Sequence, residues 1–235
     1  MVLETAVIIA GGRGTRFEER TEDLPKPLIP VNDKPILERI IEWLAKSGVK
    51  RVVIGTAYKK EMIKNYFGDG SDFGVSITYT EHDEHGGTED AFRALLEQSK
   101  IEDENFYAMN GDQVTDLPLD NFEKEHIKGN SIVTIATINL RTNFGVVHVN
   151  DDGKIKEFRE KGEVPDKRMN AGIYIFNKKI KNLLSGGNIE ENAFRKLIAN
   201  QSIHTFHHNG IWLTVNDKKE LKNAEEILKR LDGSI

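Results

Sequence analysis

The chain of 235 residues is 38% hydrophobic and 30% charged, with a net charge of −5 at pH 7, which is typical of a globular protein. Its length allows roughly 70–75% of the unfolded surface to be buried, and no apolar run approaches the ~18–20 residues of a membrane span. The negative charge argues against nucleic acid as a partner, while the absence of cysteine excludes disulfides and thiolate metal sites and fits a cytoplasmic protein.

Strand and helix patterns alternate through the first half of the chain. The apolar run Val7-Ile8-Ile9-Ala10 predicts a buried strand, and because this strand begins so early we expect no signal peptide. Further patterns predict helices over 33–47, 59–67 and 88–98, and strands over 51–56, 75–80 and 105–109. This order predicts a parallel sheet with helices on both faces, whose ligands bind at the carboxyl ends of the strands.

The second half of the chain is richer in strands. We expect strands over 131–139, 144–149, 155–158, 171–177 and 203–207, with a hairpin turn at Asp151-Asp152-Gly153. Helices are expected over 178–184, 190–199 and 217–231. No linker, repeat or low-complexity tract divides the chain, so we expect one continuous α/β domain over 1–235, to which the second half adds a lobe that closes the site.

A glycine-rich loop follows the first strand. Gly11, Gly12 and Gly14 allow a tight turn and a close approach to a ligand, and their unhindered N–H groups can form an anion-binding concavity. Arg16 and Lys26 add two positive charges nearby, a combination that suits a triphosphate. The loop is neither a P-loop, because no Gly-Lys-Ser/Thr ending is present, nor a complete dinucleotide fingerprint.

The segment Gly11-Gly12-Arg13-Gly14-Thr15-Arg16-Phe17, followed by Pro25-Lys26-Pro27, resembles the signature of the sugar-phosphate nucleotidyltransferases. These enzymes join a nucleoside triphosphate to a sugar 1-phosphate and release pyrophosphate. The resemblance implies a Rossmann-like, mixed but mostly parallel sheet flanked by helices, with a nucleotide-binding half over 1–130 and a sugar-phosphate-binding half over 131–235. It implies these nucleotide-binding residues: Ala10, Gly11, Gly12, Gly14, Thr15, Arg16, Gly87 and Thr88.

The same resemblance implies the catalytic groups Arg16, Lys26, Asp112 and Lys161. Arg16 and Lys26 match the positions that hold the triphosphate and stabilise the leaving pyrophosphate. Asp112 follows a predicted strand and matches the aspartate of a Gly-Asp motif, where a carboxylate beside phosphates has a natural partner in Mg²⁺. In-line transfer at phosphorus requires mainly alignment of the reactants and neutralisation of charge.

A departure occurs where the family has a Leu-Gly-Thr-Ala-Gly segment against the nucleotide base. Gly87 and Thr88 match it, whereas Gly86, Glu89 and Asp90 do not. The two carboxylates leave two interpretations open: a modified base site, or acidic residues that simply favour the first turn of a helix.

Three segments of the second half resemble family motifs for the sugar phosphate: Phe144-Gly145-Val146-Val147, Phe158-Arg159-Glu160-Lys161 and Asn170-Ala171-Gly172. The resemblance implies that Lys161 binds the sugar phosphate and that Glu160 and Asn170 bond sugar hydroxyls. Gly145 would allow close approach of the ring, and Gly172 belongs to the same site.

A second metal-binding aspartate is often present near the C-terminus of family members, in a Trp-x-Asp segment. Here Trp212-Leu213-Thr214 has Thr214 at that position, and we expect Asp217 to cap the last helix instead. Asp112 is therefore the predicted metal ligand of the protein, together with phosphates and water.

The resemblance is strongest to guanylyltransferases of mannose or heptose 1-phosphate, which implies Mg²⁺, a nucleoside triphosphate and a sugar 1-phosphate as ligands. Three alternatives stay open: a thymidylyl- or uridylyltransferase of glucose 1-phosphate, a phosphocholine cytidylyltransferase, and a non-catalytic regulatory subunit that binds nucleotide sugars. Neither nucleic acid nor a membrane is expected as a partner, and the sequence leaves a homo-oligomer open.

Overall fold

The computed structural model describes residues 3–14 and 24–232. Its strands are β1 (Thr5–Ile9), β2 (Pro30–Val31), β3 (Lys34–Pro35), β4 (Arg51–Thr56), β5 (Ser76–Glu81), β6 (Asn105–Asn110), β7 (Gln113–Thr115), β8 (Val133–Val149), β9 (Ile155–Asn177), β10 (Ile203–His207) and β11 (Trp212–Thr214). Its α-helices are α1 (Ile36–Lys46), α2 (Lys60–Phe67), α3 (Thr88–Gln98), α4 (Leu119–Gly129), α5 (Ala193–Ala199) and α6 (Lys218–Asp232), with 3₁₀ turns at Lys26–Leu28, Ser71–Phe73 and Lys178–Asn182.

Seven strands form one sheet in the order β10-β8-β9-β6-β1-β4-β5. β6, β1, β4 and β5 run parallel, β10 runs parallel to β8, and β9 lies antiparallel between β8 and β6. The mixed, mostly parallel sheet predicted from the sequence is therefore confirmed. The carboxyl ends of β6, β1, β4 and β5 meet at one edge, where sheets of this kind bind ligands.

Hydrophobic layers cover both faces of the sheet, because neighbouring side chains along a buried strand point to opposite faces. In β1, Ala6 and Ile8 pack in one layer with the apolar side of α1, and Val7 packs in the other with Phe92 of α3. α1 has the three-to-four spacing of apolar residues that a helix against a sheet requires, and the fully buried Leu37 and Ile41 lie on that side. Helices on both faces are thus confirmed.

Two expectations for the second half were wrong in detail. The strands expected over 131–139 and 144–149 form the single strand β8, and those over 155–158 and 171–177 join in β9. The β8–β9 ladder crosses several register shifts, so polar interruptions that suggested loops are accommodated within paired strands. The expected hairpin turn is present, with Asn150 N–H donating to Lys154 O and with Gly153 at φ +81°.

Helix α4 and the pairing of β7 with β11 were not predicted. The buried side of α4 includes Glu123 and His126 beside Leu119 and Phe122, so its sequence lacks a continuous apolar stripe. Glu123 accepts the N–H of Leu3, and two hydrogen bonds satisfy His126. Polar groups can occupy a buried helical side when each finds a partner, and such a side escapes a search for hydrophobic periodicity.

The expected cap of the last helix is confirmed, since Asp217 Oδ1 accepts the N–H of Glu220 at 2.8 Å. Among the described residues, no helix combines the length and the apolar character that crossing a membrane would take.

Candidate active site

A cleft of about 270 Å³ opens at the carboxyl ends of β1, β5 and β6. It brings together seven of the predicted site residues from four separate segments of the chain: Ala10, Gly11, Gly12, Lys26, Gly87, Thr88 and Asp112. Ile9, Pro27, His82, Glu84, Gly86, Ala91, Asn110 and Gly111 complete its lining. Thr15 and Arg16 lie outside the described residues.

Gly11 and Gly12 lie in the loop after β1, and the surroundings of the two positions differ. A Cβ on Gly11 would lie 2.3 Å from Cε1 of His82, so the imidazole ring of His82 occupies the space that any other side chain would need. A Cβ on Gly12 would meet no described atom within 4 Å, so its backbone faces open space in the cleft. Gly14 has φ +68°, a conformation that favours glycine. Gly12 is thus the position where a ligand can approach the backbone.

Lys26 lies at the start of the 3₁₀ turn Lys26–Leu28, and its side chain is 13% exposed. Its ammonium donates to Asp112 Oδ2 at 2.6 Å and to Asn216 Oδ1 at 2.7 Å. Two distant segments of the chain therefore hold the ammonium of Lys26 in the cleft. A cation held in this way can stabilise negative charge without first having to be ordered.

Asp112 has one oxygen engaged and one oxygen available for a cation. Its Oδ2 accepts from Lys26, whereas its Oδ1 is buried without a hydrogen-bond partner among the described residues. Asn110 Oδ1 and Gln113 Oε1 are in the same condition. Buried oxygens normally have partners, and oxygen donors are what a hard divalent cation such as Mg²⁺ takes. These residues therefore fit a magnesium ion held by Asp112.

The segment that contains Thr214 lies beside Asp112. This is where a residue at the position of the family's second metal-binding aspartate was expected to lie. Thr214 pairs with Gln113 across the β7–β11 ladder, and Val215 N–H donates to the carbonyl of Asp112 at 3.3 Å. The hydroxyl of Thr214 donates to Glu220 Oε2 at 2.9 Å. Thr214 is thus next to the predicted metal position, but its hydroxyl is directed to helix α6.

Asn216 is a site residue that the sequence reasoning missed. Its N–H donates to Glu220 Oε2 at 2.9 Å, while its side-chain oxygen accepts from Lys26. Glu220 therefore holds the turn that carries Asn216, and Asn216 in turn holds Lys26. The only sequence signal was a side-chain amide two residues after Thr214.

The two carboxylates at the start of α3 point away from the cleft. Glu89 is fully buried and accepts the N–H groups of Ser185, Gly186 and Ala193, and also the Ser185 hydroxyl. Asp90 accepts the N–H groups of Gly187 and Gly87, and these hydrogen bonds hold the pKa of Asp90 below its usual value. Of the two interpretations left open by the sequence, the structure favours helix capping, and it adds a connection to the segment 185–193.

Besides Asp112, Glu84 is a carboxylate that lines the cleft. Arg13 binds it with two parallel hydrogen bonds, Nε to Oε2 at 3.0 Å and Nη2 to Oε1. The guanidinium of Arg13 also lies 5.1 Å from the ring centre of Tyr58. Hydrogen bonding to Arg13 lowers the pKa of Glu84, so the carboxylate is ionised near neutral pH. The sequence reasoning assigned no role to this residue.

Two residues of the predicted sugar site, Asn170 and Gly172, lie near the cleft or connect to it. A Cβ on Gly172, which has φ +70°, would lie 2.2 Å from Gln113 Nε2 and 2.7 Å from Asn110 Nδ2. Asn170 donates to the hydroxyl of Tyr174 at 2.9 Å and to Glu190 Oε1 at 3.4 Å. Glu190, which the sequence reasoning also missed, accepts from Thr88 at 3.3 Å and so connects the two halves of the chain.

The remaining predicted residues of the sugar site lie on the β8–β9 ladder. Gly145 pairs with Glu160, and a Cβ on Gly145 would lie 2.8 Å from Phe158 Cζ and 3.0 Å from Glu160 Oε2. The structure brings these residues together, but among the described residues neither Gly145 nor Glu160 lines the 270 Å³ cleft. Lys161 follows Glu160 in β9, and its side chain is outside the described part of the chain.

Comparison with known proteins identifies the same family that the sequence motifs resemble. The family model described as "Nucleotidyl transferase" matches residues 5–215. A mannose-1-phosphate guanyltransferase of Yarrowia lipolytica is 34% identical over 221 residues, which cover 91% of this chain and 61% of that protein. A D-glycero-alpha-D-manno-heptose 1-phosphate guanylyltransferase of Campylobacter jejuni is 36% identical over 177 residues, which cover 75% of this chain and 77% of that protein.

The same fold occurs in a solved structure. HddC from Yersinia pseudotuberculosis aligns with a TM-score of 0.76 at 24% identity, over 96% of this chain and 100% of that one. At that level of identity the match supports the fold alone.

Proposed function

Because the chain belongs to the nucleotidyl transferase family, we propose that it is an enzyme that joins a nucleoside triphosphate to a sugar 1-phosphate and releases pyrophosphate. The observation that carries the proposal is the ammonium of Lys26, held by Asp112 and Asn216 in a cleft beside the glycine loop. A positive charge fixed at the carboxyl ends of parallel strands suits a phosphate chain that must be aligned and neutralised.

The reaction is an in-line displacement at the α-phosphorus. A phosphate oxygen of the sugar 1-phosphate forms the new P–O bond, and the bond to pyrophosphate breaks. Lys26 holds a compensating charge close to the phosphates, and the backbone at Gly12 allows them to approach. Arg16 and Lys161 are proposed, on the resemblance to the family, as further charges for the triphosphate and the sugar phosphate. Such a reaction depends on positioning and charge more than on covalent chemistry by the protein.

The proposed cofactor is Mg²⁺, which when bound neutralises phosphate charge. Asp112 would hold it through Oδ1, the oxygen that Lys26 does not use. Thr214 and Asn216 are neutral, so phosphate oxygens and water would supply most of the remaining ligands, as magnesium sites commonly allow.

The proposed substrates are GTP and mannose or heptose 1-phosphate, as the names of the two relatives suggest. The proposed nucleotide site contains Ala10, Gly11, Gly12, Gly14, Thr15, Arg16, Gly87 and Thr88, and the proposed sugar-phosphate site contains Gly145, Glu160, Lys161, Asn170 and Gly172. We infer one domain, with the nucleotide half over 1–130 and the sugar half over 131–235. It would act in the cytoplasm on small molecules, without nucleic acid or a membrane.

Pyrophosphate release tests the proposal. GTP, dTTP, UTP, CTP and ATP are each combined with mannose, heptose and glucose 1-phosphates and with phosphocholine, in the presence of Mg²⁺. Turnover is expected with GTP and a mannose or heptose 1-phosphate. If turnover occurs only with a different nucleotide and acceptor, the proposed substrates are wrong and that pair replaces them. If no combination gives turnover, the result favours the non-catalytic alternative, which the neutral Thr214 also supports.

A further inference from the structure

The end of the cleft that follows β6 contains oxygen donors for a cation. Asp112 Oδ1, Asn110 Oδ1 and Gln113 Oε1 are buried there without a hydrogen-bond partner among the described residues. The Gln113 side chain belongs to a residue that is only 7% exposed, so solvent does not readily satisfy its amide oxygen. Carboxylate and amide oxygens are the ligands that Mg²⁺ takes in proteins. The donor atoms of a cation site are therefore in place.

These oxygens lie beside a positive charge that the protein itself supplies. The ammonium of Lys26 lies 2.6 Å from Asp112 Oδ2 and 2.7 Å from Asn216 Oδ1. The side chains of Lys26 and Asp112 are only 13% and 26% exposed, so solvent screens their attraction weakly. One ammonium and one carboxylate cancel. A divalent cation that approaches Asp112 therefore meets no net negative charge from this pair.

The other carboxylates near this end of the cleft are engaged elsewhere. Glu84 lines the cleft, but Arg13 neutralises it through two parallel hydrogen bonds. Glu220 accepts from the Thr214 hydroxyl and from the Asn216 N–H, and it does not line the 270 Å³ cleft. Because position 214 is neutral, each carboxylate among the described residues that line the cleft is balanced by a cation of the protein.

We propose that Lys26 is the cation that Asp112 holds in the nucleotide-free protein, that Asn216 keeps it there, and that a divalent cation binds well only together with a triphosphate. The negative charges of the triphosphate attract the ammonium away from Asp112, and they attract the metal to the carboxylate that the ammonium leaves. Metal and nucleotide therefore strengthen each other's binding, by the same factor in both directions. The inference rests on the proposed function, because the triphosphate is the new partner of Lys26.

Titrations of the nucleotide-free protein with Mn²⁺ test the role of Lys26. Mn²⁺ takes the same oxygen ligands as Mg²⁺, and the paramagnetic resonance signal of free Mn²⁺ reports how much is bound. The unmodified protein is expected to bind Mn²⁺ weakly. Lys26→Met removes the charge but keeps a long side chain, and it should raise the affinity roughly 10-fold to 100-fold, the range for a charged hydrogen-bond partner of a carboxylate. Asn216→Ala, which removes one of the two bonds to the ammonium, should raise it roughly 3-fold.

Two further variants show whether the gain belongs to Asp112. Lys26→Met combined with Asp112→Asn should lose the gain, because Asp112 is the carboxylate that the ammonium neutralises. Lys60→Met is the matched control, since it removes the same charge from an exposed lysine that pairs with Glu81 outside the cleft. Its affinity for Mn²⁺ should equal that of the unmodified protein.

The coupling to the triphosphate is measured by calorimetry with GTP, with and without Mn²⁺. The factor by which Mn²⁺ strengthens GTP binding is compared between the unmodified protein and Lys26→Met, so the binding of Mn²⁺ to free GTP cancels. This factor should be larger in the unmodified protein, because its ammonium must leave Asp112 before the metal binds. An equal factor in the two proteins would contradict the coupling.

An unchanged affinity for Mn²⁺ in folded Lys26→Met would overturn the proposal, as would a gain that persists with Asp112→Asn or that Lys60→Met reproduces. If thermal unfolding shows that Lys26→Met is not folded, Asn216→Ala decides, and an unchanged affinity there overturns the proposal equally. The Mn²⁺ titrations need neither nucleotide nor turnover, so a failure of the proposed reaction is detected separately by the pyrophosphate screen.

Discussion

At the scale of single residues, Lys26 combines a full positive charge with a fixed position. Lys26→Ala is expected to lower kcat by roughly 10²-fold or more, the usual cost of removing a preorganised stabiliser of developing charge. Steady-state pyrophosphate release measures this, with thermal unfolding to establish that the fold is retained. Lys60→Ala is the control, because the exposed ammonium of Lys60 pairs only with Glu81 outside the cleft in the described structure. Near-normal turnover of Lys26→Ala would remove Lys26 from the mechanism.

Thr214 stands where the family often has a second metal-binding aspartate, and in this chain the position lies against Glu220. The Thr214 hydroxyl donates to Glu220 Oε2, so an aspartate at 214 would lose that bond and place two negative charges together. Thr214→Asp alone is expected to lower the free energy of unfolding by roughly 1–3 kcal/mol. Thr214→Asp combined with Glu220→Gln removes the repulsion, and should lower the Mg²⁺ concentration at half-maximal rate.

Both variants are compared by urea unfolding and by Mg²⁺ titration in the presence of GTP, with Glu220→Gln alone as the control. If the double variant binds Mg²⁺ no better than Glu220→Gln, position 214 does not face the metal, and the comparison of this segment with the family is wrong.

The residues of the site could be predicted from the sequence to different degrees. Lys26 and Asp112 belong to motifs with short local spacing, so their place in the cleft could be expected. Glu84, Asn216 and Glu190 could not, because each acts through a partner at least 71 residues away. Local patterns contain no information on which distant segment will supply that partner.

At the scale of elements, α4 shows how a buried polar residue creates a dependence on pH. His126 is 3% exposed, and its ring nitrogens contact Thr134 Oγ1 at 2.8 Å and Asn105 Oδ1 at 3.1 Å. Burial, with a smaller contribution from the charge of His204, lowers the pKa of His126 to about 4. The neutral imidazole is therefore the form that the folded protein accommodates.

The unfolded chain binds a proton at this histidine near pH 6.5, whereas the folded protein does so only near pH 4. The stability that His126 contributes is thus present above pH 6.5 and is lost as the pH falls toward 4. Between pH 7.5 and 5.0 the loss should be about 2 kcal/mol. Urea unfolding of the protein and of His126→Gln at both pH values measures it. An equal pH dependence in the variant would show that other groups cause the loss.

Helix α3 contacts a distant segment of the chain, which neither interpretation of its sequence included. Its first turn binds the segment 185–193 through Glu89 and Asp90, and a Cβ on Gly87 would lie 2.0 Å from the carbonyl oxygen of Gly187. Gly87 is therefore required for the contact between two protein segments, whatever it also does for a nucleotide. Acidic residues in the first turn were predictable as caps, but the segment that they would bind was not.

At the scale of the whole molecule, alternating apolar patterns were sufficient to predict the parallel strands β1, β4, β5 and β6 and the position of the cleft. They were not sufficient for β9, which lies antiparallel between β8 and β6. The order of strands depends on pairing between distant segments, and hydrophobic periodicity within one segment does not specify its neighbour. The sheet that unites the two halves was therefore less predictable than either half.

The proposed division of the molecule predicts that the two substrates can be weakened separately. Asn170 lies in β9, in the half that we assign to the sugar phosphate, and it connects only through Glu190 to Thr88 of the other half in the described structure. Asn170→Ala is expected to raise the KM for the sugar 1-phosphate roughly 5-fold to 10-fold, the value of one hydrogen bond. The Kd for GTP should stay within two-fold.

Calorimetry with GTP and steady-state kinetics with the sugar 1-phosphate measure the two quantities. Asn139→Ala is the control, since Asn139 is an amide of the same β8–β9 ladder that donates to the exposed Glu163 and belongs to neither proposed site. Asn170 Oδ1 also accepts the N–H of Gly172, so unfolding curves must show that the variant is folded. An equal rise in the Kd for GTP and in the KM for the sugar 1-phosphate in Asn170→Ala would contradict the assignment of separate substrates to the halves 1–130 and 131–235. The loss of one side chain in the sugar half would then also have lowered the affinity for the nucleotide.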